Sequence, residues 1–304
     1  MSRHVAVLMG GWSSEREVSL VSGAAVVAAL RERGFRATAV DVDRNLAGVL
    51  RDLAPDVVFN ALHGRFGEDG TVQGLLEILG LPYTHSGVLA SAVAMHKPTA
   101  KRLFRDAGIP TPEGRVLSRW EFQAGAAPAK PFVIKPINEG SSVGVRIVLD
   151  GDNFDAAAET DWPYGDQVLV ERYVPGREIT AAVMGDETLG ATELRPKGRF
   201  YDYRAKYSEG QTEHLVPAPL PPAVYDEVCR LALAAHRTLG CRGVSRSDFR
   251  YDDTAGEPGR LYLLEINTQP GMTPLSLVPE IAAYRGMSFA DLVAWMTEDA
   301  GCDR

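Results

Sequence analysis

Oxygen-bearing side chains alternate along two segments near the carboxyl end of the chain. Asp248 follows Arg246 by two positions, and Asn267 follows Glu265 by two. In a strand, this period of two places both members of a pair on one face of the sheet. Mg²⁺ prefers oxygen ligands and is commonly held by a few carboxylates or amides together with nucleotide phosphates. Asp248, Glu265 and Asn267 are therefore candidate metal ligands, and a polar strand face in water is the alternative.

Two lysines stand where a bound anion would compensate their charge. Lys97 begins a helical pattern, and Lys135 ends the apolar run 132–134. A lysine in the latter position is hard to bury without an anion. Residues 139–144, with the sequence EGSSVG, follow it, and their small side chains let backbone N–H groups approach a phosphate. The combination indicates a phosphate lid rather than a plain turn, although its spacing is neither Walker A nor GxGxxG.

A further apolar run ends in a polar segment, residues 171–174. Glu171, Arg172 and Val174 belong to this segment, and Glu178 follows a few positions later. The backbone here could hydrogen-bond an adenine edge and a carboxylate could hydrogen-bond a ribose. Without the neighbouring motifs, the segment is typical of an ordinary strand end.

The first part of the chain predicts βαβ units. Apolar runs at 5–8, 37–42 and 57–62 alternate with a helical pattern at 18–30. A parallel sheet places its ligands at the carboxyl ends of the strands. Here those ends carry Gly10-Gly11 and His63-Gly64, which are site candidates, although His63 could also be a turn residue.

The remainder predicts a second kind of architecture. A helix ending near Gly108 is followed by strands at 132–135 and 168–173. Further on come a Gly-, Tyr- and charge-rich loop at 198–213, a helix, a strand and two more helices. The length and glycine content of that loop suit a mobile lid that excludes water.

Composition narrows the class of protein. The 304 residues carry a net charge of −8, from 40 acidic and 32 basic side chains that are interspersed. We therefore expect no nucleic-acid partner. No apolar run reaches the roughly 18 residues that a membrane span needs, and no signal peptide is recognisable, so we expect no membrane partner and a cytoplasmic location. Three cysteines without ligand spacing suit reduced thiols.

Together these motifs resemble the ATP-grasp enzymes and, within them, the D-alanine:D-alanine ligases. The closer resemblance rests on residues 10–20 (GGWSSEREVSL), 63–70 (HGRFGEDG), 201–207 (YDYRAKY) and 267–273 (NTQPGMT). It spans nearly the whole chain, and several long motifs in the right order are more specific than any one of them.

The resemblance implies an α/β (α+β ATP-grasp) fold in three parts. Residues 1–95 would form an N-terminal parallel-sheet βαβ domain, residues 96–178 the central ATP-grasp domain, and residues 179–304 the C-terminal domain with the mobile lid and metal site. ATP would lie between the last two. Homodimerisation and a response to K⁺ are also expected from the family.

The implied activity is ATP-dependent ligation of two D-alanine molecules through a D-alanyl phosphate, for peptidoglycan precursor synthesis, with two Mg²⁺ or Mn²⁺ ions. Glu15 would hold the ammonium group of the first D-alanine, with His63 nearby, and Ser276 and Leu277 would contact the second. Arg246 and the Gly271 N–H would steady charge on the tetrahedral intermediate.

The lid residues carry further implied roles. Lys206 would reach the transferred phosphate as the lid closes. Tyr207 would connect by hydrogen bonds to Ser141 and Glu178, and relatives that take D-lactate tend to have His in place of this Tyr. The resemblance therefore favours a peptide-forming ligase.

Two positions depart from the family pattern, and three other functions compete. His96 stands where Asp is expected, and Val244 replaces an aromatic residue. A different ATP-grasp carboxylate–amine ligase would share the nucleotide residues. A dinucleotide-dependent oxidoreductase would carry a GxGxxG fingerprint after its first strand, and this chain has none there. A two-lobed binding protein would not need so many phosphate and metal groups.

Overall fold

The computed structural model describes residues 2–140, 143–156, 162–198 and 210–303. The first sheet is parallel, with strand order β2-β1-β3. Its strands and the helices around it are β1 (His4–Met9), α1 (Arg16–Glu32), β2 (Arg36–Asp41), α2 (Leu46–Leu53), β3 (Val57–Asn60), α3 (Thr71–Leu79) and α4 (Val88–Met95). The predicted βαβ units are confirmed.

The turn after β1 depends on glycine. Gly10 and Gly11 have φ angles of 74° and 73°, which L side chains rarely adopt. A Cβ atom on Gly10 would lie 2.2 Å from the Asp41 carboxylate, which pairs with Arg16 at the start of α1. The turn therefore aims the following residues, including Glu15, across the carboxyl end of the sheet.

The second sheet is antiparallel, with order β4-β7-β5-β6. Its part of the chain comprises α5 (Lys97–Asp106), β4 (Gly114–Ser118), α6 (Arg119–Glu121), a π-helical turn (Phe122–Ala126), β5 (Phe132–Pro136), β6 (Arg146–Val148) and β7 (Gln167–Arg172). Phe122, Phe132 and Ile134 are buried in a core of its own, where Phe154 packs edge-on against both phenylalanines.

The third sheet is antiparallel, with order β10-β9-β8-β11-β12. Its elements are β8 (Arg177–Met184), β9 (Glu187–Pro196), β10 (Thr212–Leu215), α7 (Pro222–Thr238), β11 (Val244–Asp252) and β12 (Arg260–Asn267), followed by α8 (Leu277–Tyr284) and α9 (Phe289–Glu298). Helix α7 packs its apolar face, including Val228 and Leu231, against Ile179 and Phe249 of this sheet.

The chain returns to the first sheet at its end. Val293 and Met296 of α9 share a buried cluster with Val26 and Leu30 of α1. The Tyr83 N–H donates to the Gly301 carbonyl at 3.2 Å. The C-terminal segment therefore joins the N-terminal part to the third sheet.

We propose the three-part division with one correction. The boundary expected after residue 178 falls inside β8, because Arg177 and Glu178 already pair with Tyr251 and Arg250 of β11. Because these two residues already pair within the third sheet, we place the start of the third part at β8.

Candidate active site

Two clefts adjoin in the middle of the molecule. The first lies between the second and third sheets, and the second lies beside the first sheet. Among the predicted residues, the first cleft is lined by Lys97, Lys135, Glu171, Arg172, Val174, Glu178, Asp248 and Glu265. The second is lined by Glu15, His63, Lys97, Arg246, Glu265, Asn267 and Gly271. Lys97 and Glu265 border both clefts.

Lys97 is fixed at this junction by the start of α5. Its Nζ donates to the Glu139 carbonyl at 2.5 Å and lies 3.3 Å from a Glu265 carboxylate oxygen. The helix is capped by His96, whose Nδ1 accepts from the Thr99 N–H at 3.3 Å. The residue that departs from the family pattern is thus the cap of the helix that carries Lys97.

A buried charge cluster lies beneath the first cleft. Glu171 is 1% exposed. Its Oε1 lies 2.7 Å from Lys101 Nζ, and its Oε2 lies 2.8 Å from Lys135 Nζ. Burial alone would raise the pKa of Glu171, but the two ammonium groups outweigh it and lower the pKa. Burial lowers the pKa of Lys101 to about 8. The cluster holds one positive charge in excess when all three groups are ionised, which favours an anion in the cleft.

The other predicted nucleotide residues form one wall of the first cleft. Arg172 stacks over the Tyr262 ring at 5.2 Å, and the Val174 carbonyl accepts from Arg250 Nε at 3.1 Å. Arg250 also lies 3.6 Å from a Glu178 oxygen. The wall is therefore held by contacts of β11 and β12 with the end of β7, the start of β8 and the segment between them.

The candidate metal ligands meet on neighbouring strands. Asp248 of β11 pairs directly with Glu265 of β12, and Arg246 pairs with Asn267. Arg246 donates to both Asp248 oxygens at 2.9 and 2.8 Å, and Thr180 donates to one of them at 2.8 Å. These bonds fix the carboxylate toward the clefts.

The donor set suits a hard cation that is shared with a ligand. No group of three or more His, Cys, Asp or Glu side chains with metal-binding geometry is found in the described ranges. Two carboxylates and one amide match the set with which Mg²⁺ is held when phosphate oxygens complete its coordination. Asp248, Glu265 and Asn267 therefore fit such an ion.

The second cleft carries a carboxylate and a histidine. His63 Nδ1 lies 2.9 Å from Glu68 Oε1, and its Nε2 lies 3.4 Å from Ser22 Oγ. A Cβ atom on Gly64 would come within 2.6 Å of Glu15 Oε2, and one on Gly140 within 3.4 Å. Glycine at both positions lets two loops approach the buried Glu15 carboxylate.

The predicted second-substrate residues lie beside this cleft. A Cβ atom on Gly271 would lie 2.9 Å from Ser276 Oγ. Ser276 Oγ accepts from the Thr273 N–H at 2.9 Å, and Leu277 begins α8 as a buried residue. These contacts fold the segment 271–277 into a compact turn next to Gly271.

Three predicted residues, Ser141, Lys206 and Tyr207, lie outside the described residues, as does the predicted lid between 199 and 209. The last residues of the expected loop, Thr212 and Glu213, belong to β10.

Lys101 and Glu68 are among the residues of the site that were not predicted. Lys101 lies four positions after Lys97 on α5, so the helical period indicates that both side chains share a face. Glu68 is part of the motif 63–70, but only the fold shows that it holds His63.

The chain matches known proteins over its whole length. The family models described as D-ala D-ala ligase N-terminus and D-ala D-ala ligase C-terminus match residues 48–86 and 103–298. A D-alanine–D-alanine ligase of Paramagnetospirillum magneticum is 59% identical over 308 residues, covering 100% of both chains.

Solved structures of D-alanine–D-alanine ligases are also similar to this chain. A D-alanine–D-alanine ligase from Bacillus anthracis is 34% identical, with a TM-score of 0.84 over 98% of this chain and 97% of that one. The same enzyme complexed with ATP is 31% identical over the same shares of both chains, with a TM-score of 0.83. The chain therefore belongs to the D-alanine–D-alanine ligase family.

Proposed function

We propose that this chain is an ATP-dependent ligase that joins two molecules of D-alanine into D-alanyl-D-alanine and releases ADP and phosphate. The observation that carries this proposal is the junction of the two clefts at Lys97 and Glu265. One cleft offers cations and metal ligands, and the other offers a carboxylate and a histidine. A carboxylate in the second cleft therefore lies next to a phosphate in the first.

The first step joins the substrates across this junction. A carboxylate oxygen of the first D-alanine attacks the γ-phosphorus of ATP, and the bond to ADP breaks. Lys97 and Lys135 compensate the phosphate charge, while Glu15 holds the ammonium group of the amino acid, with His63 beside it. Such a transfer depends mainly on alignment and charge neutralisation.

The second step forms the peptide bond. The amine of the second D-alanine, held near Ser276 and Leu277, attacks the acyl carbon and loses a proton. The phosphate leaves with the original carboxylate oxygen. Arg246 and the Gly271 N–H are placed at the second cleft, where they would steady the oxyanion of the tetrahedral intermediate.

Asp248, Glu265 and Asn267 would hold Mg²⁺ or Mn²⁺, with two ions expected. Bound there, the metal would neutralise charge on the transferred phosphoryl group. The chain's own residues orient this set, because Arg246 and Thr180 fix Asp248 and the Gln269 N–H donates to Asn267 Oδ1 at 2.7 Å.

Further properties follow from family membership and remain part of the proposal. Lys206 would reach the phosphate, and Tyr207, with Ser141 and Glu178, favours an amine over D-lactate as acceptor. A homodimer, a K⁺ response, a cytoplasmic location and a role in peptidoglycan precursor synthesis are proposed on the same basis. In the part of the chain that is described, every helix is too short or too polar to cross a membrane.

The test is phosphate release from Mg-ATP with D-alanine, L-alanine, or D-alanine plus D-lactate, with products identified by mass spectrometry. Dipeptide formed only with D-alanine, ATP and Mg²⁺ together supports the proposal. Phosphate release only with another carboxylate and amine would keep the chemistry and identify a different ATP-grasp ligase.

A further inference from the structure

Gln269 follows Thr268 of the second cleft, and the proposed reaction does not use its buried side-chain amide. It is 1% exposed and follows Asn267, a candidate metal ligand, by two positions. Long polar side chains are rarely buried to this extent unless their hydrogen bonds are satisfied. Its partners therefore indicate what it holds in place.

The amide of Gln269 contacts the first sheet with both of its polar atoms. Its Oε1 accepts from Asn60 Nδ2 at 2.8 Å and, more weakly, from Gln73 Nε2 at 3.5 Å. Its Nε2 donates to the Leu62 carbonyl. Its backbone N–H donates to Asn267 Oδ1 at 2.7 Å. One residue thus bonds both the metal-ligand strand and the loop after β3.

That loop, residues 62–68, is called the His63 loop here. Gly67 lies near its far end, and its carbonyl accepts from Asn60 Nδ2 at 3.0 Å and from Gln73 Nε2 at 2.8 Å. Leu62 at its near end accepts from Gln269. Both ends of the loop are therefore attached to one buried amide network.

We propose that Gln269 is a positioning residue that fixes the His63 loop against Asn267. The inference rests on the proposed function and deepens it, because it assigns the alignment of the amino acid with the transferred phosphate to this side chain. The network lies behind the second cleft and joins the segments that carry two of its lining residues, His63 and Asn267.

Only an amide of this length satisfies the arrangement. An acceptor must face Asn60, and a donor must face the Leu62 carbonyl. Gln269→Met keeps the length and removes both functions. Gln269→Glu keeps the size and the acceptor, but it replaces the donor by an oxygen that repels the carbonyl. Both variants should release the His63 loop from Asn267.

Gln73→Met is the matched control. Gln73 is equally buried and reaches the same Gly67 carbonyl, but it touches Gln269 only at 3.5 Å and has no contact with Asn267 among the described hydrogen bonds. Its loss removes buried hydrogen bonds without separating the two walls of the cleft.

The experiment measures kcat and KM for D-alanine, ADP affinity by calorimetry, and the melting temperature of the purified full-length variants. For Gln269→Met we expect kcat/KM for D-alanine to fall by at least about tenfold, since misplacement by about 1 Å can cost about 100-fold. ADP affinity should stay unchanged because the first cleft keeps its walls. Gln73→Met should lower the melting temperature while keeping kcat/KM for D-alanine.

We expect the same fall in kcat/KM for Gln269→Glu. This variant takes the place of Gln269→Met if the latter does not fold. Kinetics of the Gln269 variants equal to those of Gln73→Met would overturn the inference, and so would a parallel loss of ADP affinity. A wild-type chain that forms no dipeptide would overturn the proposed function and this inference with it. An active wild type with unaffected Gln269 variants would overturn the inference alone.

Discussion

The Lys97 ammonium group lies 3.3 Å from the Glu265 carboxylate, at the point where the two clefts meet. Lys97 begins α5 and Glu265 lies on β12, so the pair joins the first residue of a helix to the strand that carries two of the candidate metal ligands. In the proposed reaction, this position would let one cation face both a nucleotide phosphate and the carboxylate that attacks it.

Replacing Glu265 by Gln should lower kcat by about 100-fold or more while leaving the fold intact, because the cation site loses a charged ligand. Steady-state kinetics across a Mg²⁺ titration measure the effect. Glu227→Gln is the matched control, since Glu227 lies on α7 and pairs with Arg230 at the surface. Near-normal turnover of Glu265→Gln would remove the metal assignment.

The two lysines that pair with Glu171 should differ in their effect on ATP binding. Breaking a buried ion pair typically costs about 3–5 kcal/mol, so Lys101→Met and Lys135→Met should both destabilise the fold toward urea. Lys135 also lines the first cleft, whereas Lys101 lies behind it. The KM for ATP should therefore rise much more in Lys135→Met. Equal KM values in the two variants would contradict this division.

His96 should act as a helix cap. His96→Ala removes the bond to the Thr99 N–H and should cost about 1 kcal/mol in the free energy of unfolding, with a rise in the KM for ATP because Lys97 follows the cap. His96→Asp should restore both values, since Asp is among the preferred capping residues. Loss of stability in the Asp variant equal to that in the Ala variant would argue against capping.

His236 should make stability depend on pH. Burial lowers the pKa of His236 to about 4 from the ordinary 6.5, so the folded state keeps the ring neutral while the unfolded state binds a proton. The fold should therefore lose about 3 kcal/mol from this residue as the pH falls from about 6.5 to 4, with no change above that window. His236→Gln should show a shallower loss in urea unfolding across this range. An unchanged slope would mean that His236 does not titrate in this way.

Strands and strand faces were the features easiest to predict, because they follow a local period in the sequence. The runs at 5–8 and 57–62 mark β1 and β3, which are buried on both faces, and the alternation of Arg246 with Asp248 marks a strand face. Pairing between distant strands was not readable, so the direct pairing of Asp248 with Glu265 comes only from the fold.

Buried polar partners were the hardest to predict. The contact of Gln269 with Asn60 joins residues 209 positions apart, and no periodic pattern links them. The proposed boundary moves from residue 178 to the start of β8 for a related reason. Arg177 and Glu178 follow a turn that looks like a linker, but their pairing with β11 makes them part of the third sheet.

The most direct test of the central claim follows one oxygen atom. The enzyme is incubated with Mg-ATP and D-alanine whose carboxylate carries two ¹⁸O atoms, and the products are weighed by mass spectrometry. Transfer through a D-alanyl phosphate predicts phosphate with one ¹⁸O and a dipeptide with three, one in the peptide carbonyl and two in the terminal carboxylate. Dipeptide formed with unlabelled phosphate, or no dipeptide at all, would contradict the account.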